Sequence, residues 1–157
     1  MIQRIQSIYL FIAVVLLTYT FFGAFFTFND GMIVLDSFSC KTVAPGNLLT
    51  VEYFKTWPLA VINGLAAFIS LVTIFLYKNR TLQIRLTIYT ILILLGFYIL
   101  LVYYRYFGMP KVVDAIIISS KMKIQAILPA IAAVFVYMAN YAIRKDEAKV
   151  RAAERFR

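Results

Sequence analysis

Between Arg85 and Arg105 the chain reads LTIYTILILLGFYILLVYY (Leu86–Tyr104), 19 residues with no Asp, Glu, Lys, Arg or His. A helix needs about 20 such residues to cross a hydrocarbon layer roughly 30 Å thick. Backbone groups in lipid must be satisfied internally, so a span is a helix or part of a closed barrel. Barrel strands would be about ten residues long and would alternate in polarity. This run does not alternate, and it predicts a membrane-crossing helix.

Three further runs read the same way: Ile8–Phe28, Trp57–Tyr77 and Ile124–Ile143, of 21, 21 and 20 residues. All sixteen basic and seven acidic side chains lie outside the four runs. The composition agrees, since 63% of residues are apolar and only 15% charged. Soluble domains carry about 25% charged residues, and one this small still needs a polar surface. The same figures exclude disorder. The predicted fold is therefore all-α: a four-transmembrane-helix antiparallel bundle forming a single membrane domain over residues 1–157. The first run is too long for a signal-peptide core, which has about 7–15 residues, and it lacks a small-residue cleavage pattern. Cys40 follows Ser37-Phe38-Ser39, which is not a lipoprotein context.

Lys and Arg favour the cytoplasmic side of a membrane. Ten of the sixteen lie in the 29 residues before the first run, between the second and third, and in the tail 144–157. The other side has six in 47 residues. Both termini are thus expected in the cytoplasm, with the basic side chains resting on anionic lipid head groups. Nucleic acid is not an expected partner, because no soluble basic domain exists to bind it. Tyr9, Tyr77, Tyr89, Tyr137 and Tyr141 fit an inner aromatic belt. Trp57, Tyr98, Tyr103, Tyr104 and Tyr106 fit an outer one.

In the outer loop Asn29–Thr56, Met32–Leu35 and Leu48–Phe54 are strand-like and flank the turn signal Pro45-Gly46. A small outer β-hairpin is expected there. Thr56 reads as the N-cap of the second helix, and Pro58 suits its first turn. The apolar stretch Val112–Ile118 is too short to span. It either lies in the interface or extends the fourth helix outward past Lys121 and Lys123. Pro129 is expected to bend that helix. The tail, with Val150, Ala153 and Phe156 on one stripe, either continues the helix or lies on the head groups.

With no His and one Cys, the usual zinc sets and nucleophile–histidine pairs are excluded. Neither GxGxxG nor GK[ST] occurs. Asp30, Asp36 and Glu52 show no acid–base spacing. No cofactor, metal or enzymatic activity is expected. Cys40 reads as an unpaired thiol, with intermolecular pairing as the other option on an oxidising side. The spans hold no ionisable group to mark an ion path. Their polar residues Asn63, Ser70, Thr73, Thr87, Thr90, Gln125 and Asn140 read as interhelical packing.

Three segments resemble a known family. They are Met1-Ile-Gln-Arg-Ile-Gln-Ser-Ile-Tyr-Leu, Phe75-Leu-Tyr-Lys-Asn-Arg-Thr-Leu-Gln-Ile-Arg-Leu, and Ile143-Arg-Lys-Asp-Glu followed by Val150-Arg151 and Arg155-Phe156-Arg157. Their order and spacing resemble small four-span inner-membrane proteins of Bacteroidota, classed as a domain of unknown function. Glu154 and Phe156 stand where that family tends to have Asp and Leu. The resemblance implies the topology and a bacterial inner-membrane setting, and no reaction. All three segments fall on the expected cytoplasmic face. The expectation is a non-enzymatic accessory or assembly subunit that contacts a membrane-protein partner, or a second copy, through that face. The residues expected to do so are Gln3, Arg4, Gln6, Lys78, Asn79, Arg80, Gln83, Arg85, Lys145, Asp146, Glu147, Arg151 and Arg155. The alternative is a small transporter or channel.

Overall fold

The computed structural model describes residues 3–28, 33–42, 52–77, 79–108 and 120–155. Helix α1 spans Gln3–Tyr19 and runs into a 3-10 turn, Thr20–Phe22. Helix α2 is Trp57–Phe75. Helix α3 is Arg80–Tyr103, continued by a π-helical turn, Tyr104–Gly108. Helix α4 is Ile124–Arg155. Each helix packs on its neighbour in sequence, and α4 closes the ring on α1. All four are long and apolar enough to cross a membrane. Their outward faces carry exposed Phe11, Phe68, Leu95, Ile99 and Val134, a surface that suits lipid rather than water.

The expected hairpin of Met32–Leu35 with Leu48–Phe54 is not formed: a strand over Ser39–Thr42 lies between the two, within a larger sheet. Five antiparallel strands form one sheet in the order β4-β3-β2-β1-β5. They are β1 Ala24–Phe28, β2 Ile33–Asp36, β3 Ser39–Thr42, β4 Glu52–Lys55 and β5 Ser120–Met122. The sheet covers the end where α1 and α3 finish and α2 and α4 begin. Backbone bonds tie it there: Thr56 N–H donates to the Phe38 carbonyl at 2.9 Å, and Lys123 N–H to the Phe25 carbonyl at 3.0 Å. Pro45-Gly46 and Val112–Ile118 lie outside the described residues.

Two expectations change here. The apolar run Ile8–Phe28 is not one helix. It ends as a helix at Tyr19, passes through the 3-10 turn, and its last five residues form β1. Gly23 is extended, with φ −146° and ψ 169°. From Gln3 to Phe22 the chain already rises about 30 Å at 1.5 Å per residue, so the Phe-rich end is not needed for the crossing. Aromatic residues suit a half-buried pleat. An extra residue at Phe25 bulges β1 against β2, where Ala24 faces Asp36 and Phe26 faces Leu35. The bulge lets consecutive Phe25 and Phe26 both turn inward. Lys121, likewise, does not extend the fourth helix; it pairs with Thr27 on β1.

Thr56 does not cap α2 through its side chain. Its hydroxyl donates instead to the Asp36 carbonyl at 2.8 Å and so joins β2 to the helix start. Pro58 lies in the first turn as expected. The tail does continue α4, through to Arg155.

The core has two parts. Under the sheet, Phe25, Phe28, Leu35, Cys40, Leu59 and Phe97 are buried together. The Phe25 and Phe97 rings meet edge-on at 5.6 Å between centroids. Deeper in the bundle, Ala13, Leu17, Ala66, Leu94, Ala132 and Val136 fill the centre. Alternating small and large residues lets the helix backbones approach closely.

Cys40 is fully buried in β3 and not in a disulfide. Burial, and then the charge of Asp36, push its thiol up to about 12 from the ordinary 9.0. Pairing with another chain therefore requires the sheet to open, against the option left by the sequence. A raised acid pKa means that the neutral thiol favours folding. Its contribution is intact below the ordinary value and fades as pH climbs toward the folded one. The expected outcome is that a maleimide leaves Cys40 unlabelled in the folded protein between neutrality and pH 9, and labels it fully after denaturation. Rapid labelling of the native protein would place the thiol at the surface.

Candidate functional site at the tail end of the bundle

At the end opposite the sheet, α1 and α3 begin and α2 and α4 pass their apolar lengths. Here and up the bundle, each helix seam carries a side-chain hydrogen bond. On the α1–α2 seam, Asn63 Nδ2 donates to the Leu17 carbonyl at 3.0 Å. On α2–α3, Gln83 Nε2 donates to the Thr73 carbonyl at 2.9 Å. On α3–α4, Asn140 Nδ2 donates to Thr87 Oγ1 at 2.7 Å. On α4–α1, Gln6 Nε2 donates to the Asp146 carboxylate. Arg80 adds a second tie across α3–α4, reaching the Asp146 backbone carbonyl at 3.4 Å.

Of the polar span residues, Asn63 and Asn140 do bond between helices as expected. The hydroxyls act differently. Ser70, Thr73, Thr87 and Thr90 each donate to a carbonyl one turn back on their own helix. Thr87 then accepts from Asn140, so one hydroxyl serves both its own turn and the neighbouring helix. Gln125 lies against Gly23, where a Cβ would collide with it. That close approach, not backbone strain, is what Gly23 supplies. The Asn63 carbonyl oxygen is buried and has no partner among the described residues.

The sequence-predicted contact residues separate into two sets. Gln6, Gln83 and Asp146 are buried, Gln6 and Asp146 across the α1–α4 seam and Gln83 against α2. Arg80 is half-buried. Asn79, Arg85 and Lys145 are exposed, and Glu147 is half-buried and engaged. Gln3 and Arg4 lie on α1, and Arg151 and Arg155 on α4, with side chains outside the description; Lys78 lies outside the described residues. One set closes the end of the bundle and the other forms its rim. Sequence reading grouped them because the three segments that carry them fall on one expected face of the membrane. Their separation follows from helix phase: Asp146 falls one turn beyond the inward-facing Ile143, whereas Lys145 falls on the outer face.

A groove of about 320 Å³ runs down the α1–α4 seam to this rim, lined by Ile5, Tyr9, Tyr137, Met138, Tyr141, Ala142, Lys145 and Asp146. Three of the five tyrosines assigned to the inner belt gather there. Among the described residues no group of His, Cys, Asp or Glu could hold a metal ion. Asp36 on β2 pairs with Lys41 at 3.4 Å.

Four membrane-length helices in a closed ring, capped by a sheet and clasped by side-chain amides, define a bundle of the multi-span membrane class by length and composition. The sequence matches the family described as domain of unknown function DUF4293 over residues 2–156, and the chain belongs to that family. A search of curated proteins gave no match.

The Gln6–Asp146 clasp predicts an asymmetry between two substitutions. Gln6→Leu leaves a buried carboxylate without its donor and should destabilise the fold by about 1–3 kcal/mol. Asp146→Asn keeps a hydrogen-bonding amide opposite Gln6 and should cost less. For Asn140→Ala and Thr87→Val, the coupling should fall near the membrane range, about 0.6–1.7 kcal/mol. Reversible unfolding in mixed micelles measures both. Additive effects at Asn140 and Thr87 would mean that the bond contributes nothing.

Proposed function

We propose that this protein is a non-enzymatic bacterial inner-membrane protein that serves as an accessory or assembly subunit. It works through the exposed rim and the projecting end of α4. One observation carries the reading. Asp146 is pinned level with Gln6, near the start of α1, and with Arg80, the first residue of α3. Helix α4 nevertheless continues to Arg155. The stretch from Glu147 to Arg155 therefore rises about 13 Å beyond the pinned level, at 1.5 Å per residue. A charged helix of that length adds nothing to the membrane crossing, and its role in this reading is to engage a partner.

The rim beside it bears Arg85, Arg144 and Lys145, all exposed. The bias of Lys and Arg supports placing this end in the cytoplasm, with both termini, where anionic lipid head groups would hold the basic side chains. The apolar centre at Leu17, Leu94 and Val136 supports this reading over a transporter or channel, which would need a polar path there.

Affinity purification from native membranes tests the role. The full chain should bring down a membrane-protein partner or a second copy, and a chain ending after Glu147 should fold and lose it. A truncated chain that keeps the same partner, or a full chain that always purifies alone, overturns the proposal. Orientation is tested separately by a reporter fused after Arg157, which should report from the cytoplasm.

A further inference from the structure

Three aromatic side chains stand bare at the sheet end, on the side of α1 and α2. Phe22 is 82% exposed, Trp57 57% and Phe38 56%. Phe22 closes the 3-10 turn after α1, Trp57 opens α2, and Phe38 lies in the short turn between β2 and β3. Residues 29–32 and 43–51 join the opposite ends of these strands, from Phe28 to Ile33 and from Thr42 to Glu52.

The Ser37-Phe38 turn is fixed at the level of the helix ends. Ser37 Oγ donates to the Thr20 carbonyl at 3.4 Å, where α1 finishes. Thr56, where α2 starts, donates its N–H to the Phe38 carbonyl and its hydroxyl to the Asp36 carbonyl. The Phe38 ring lies 6.3 Å from that of Phe21, which in turn rests against Gly64 of α2. Phe22 and Trp57 stand at nearly one height. Asn63 is level with the Leu17 carbonyl to which it donates. From that bond Phe22 is five residues on and Trp57 six residues back, so each rises about 8–9 Å toward the sheet. Each also tops an exposed apolar stripe at helical spacing, Val15-Tyr19-Phe22 on α1 and Trp57-Val61-Leu65 on α2.

Helix length decides what covers these rings. The membrane-length stretch of α1, Ile5–Phe22, has 18 residues, and that of α2, Trp57–Phe75, has 19. They rise about 27 and 28 Å, just short of a hydrocarbon layer roughly 30 Å thick. Neither has length to spare, and at the other end Gln6 already meets the Asp146 carboxylate. Hydrocarbon must therefore reach Phe22 and Trp57, and the Phe38 turn is held level with them. Charge begins immediately above, with exposed Glu52 and Lys55 on β4, while Asp36 beside the turn pairs with Lys41 at 3.4 Å. Tryptophan favours this boundary between head groups and acyl chains. We propose that the β2–β3 turn is inserted into the bilayer. Phe22, Phe38 and Trp57 form an aromatic anchor among the glycerol backbones and upper acyl chains, and so seat the sheet on the membrane. The anchor rests on the membrane reading of the helices and is independent of any partner at the tail end.

Trp57 is the single tryptophan of the chain, so its fluorescence reports its own depth. The full chain is reconstituted in phosphatidylcholine vesicles whose lipids carry bromine either high or low on the acyl chain, with iodide in the water on both faces as the opposing quencher. The unaltered chain is measured beside two that carry Trp57→Phe with either Phe22→Trp or Phe38→Trp. In all three, high bromine should quench at least about twofold more than low bromine, and iodide should quench little. A fourth chain, Trp57→Phe with Phe68→Trp, places the probe about 16 Å further into α2 and should be quenched more by low bromine. Circular dichroism checks that each variant keeps its helices. Quenching of the Phe38→Trp chain by iodide and not by bromine would put the turn in water. Quenching by neither would mean that protein covers it. Either result overturns the proposal, as does an unquenched Trp57 or Phe22→Trp chain in high-bromine lipid. Loss of bromine quenching in the Phe68→Trp chain would instead sink the membrane reading itself.

Discussion

Hydrocarbon provides no hydrogen-bonding partner, and that constraint orders this bundle. A polar side chain placed between membrane helices must find its partner inside the protein. The amide nitrogens of Asn63, Gln83, Asn140 and Gln6 each do so on a different seam, and together they close the ring of four helices. Each bond is small, averaging about 0.6 kcal/mol in membranes. Their effect is on register rather than on total stability. A helix that slides or rotates breaks its clasp and leaves an amide or carboxylate buried without a partner. Packing of Ala13, Leu17, Ala66, Leu94, Ala132 and Val136 supplies the contact between helices; the polar bonds choose one arrangement of it.

The sheet imposes a second constraint at the other end. Its strands β1 and β5 lie directly next to the ends of α1 and α4, so the helix spacing and the strand pairing must agree. Phe25 and Phe28 enter the core beneath it and meet Phe97 of α3, and Thr56 ties β2 to the start of α2. The two ends of the molecule are therefore finished differently. One is roofed by paired strands over an aromatic core. The other is clasped by side chains and extended by the single helix α4. That asymmetry gives the chain two candidate surfaces of different chemistry.

Much of this was legible in the sequence. Four uncharged runs of membrane length announced four helices, and α2 begins at the expected Trp57. The strand signals at Met32–Leu35 and at Leu48–Phe54 marked β2 and β4. The strand at Ala24–Phe28 was not legible, because an apolar run states only that its residues avoid water. Phe25 and Phe28 avoid it equally well in a helix or beneath a sheet, and only the bulged pairing with β2 decides between them. At the candidate site the sequence grouped residues of three segments that the fold carries toward one end of the bundle. It did not separate Asp146 from Lys145, since adjacent charged residues look alike until the phase of α4 against α1 is known.

What the sequence by itself determined is which four segments are long and apolar enough to cross a membrane, and in which loops the charge collects. Both depend on composition summed over about 20 residues, which no folding can change. What only the tertiary structure decided is which polar groups meet. The Gln6–Asp146 clasp joins residues 140 positions apart, and the Phe25 and Phe97 rings join β1 to α3. Such pairings depend on distances of a few ångströms between segments remote in the chain. Those distances are set by helix phase, strand register and close packing, not by any property of one segment alone.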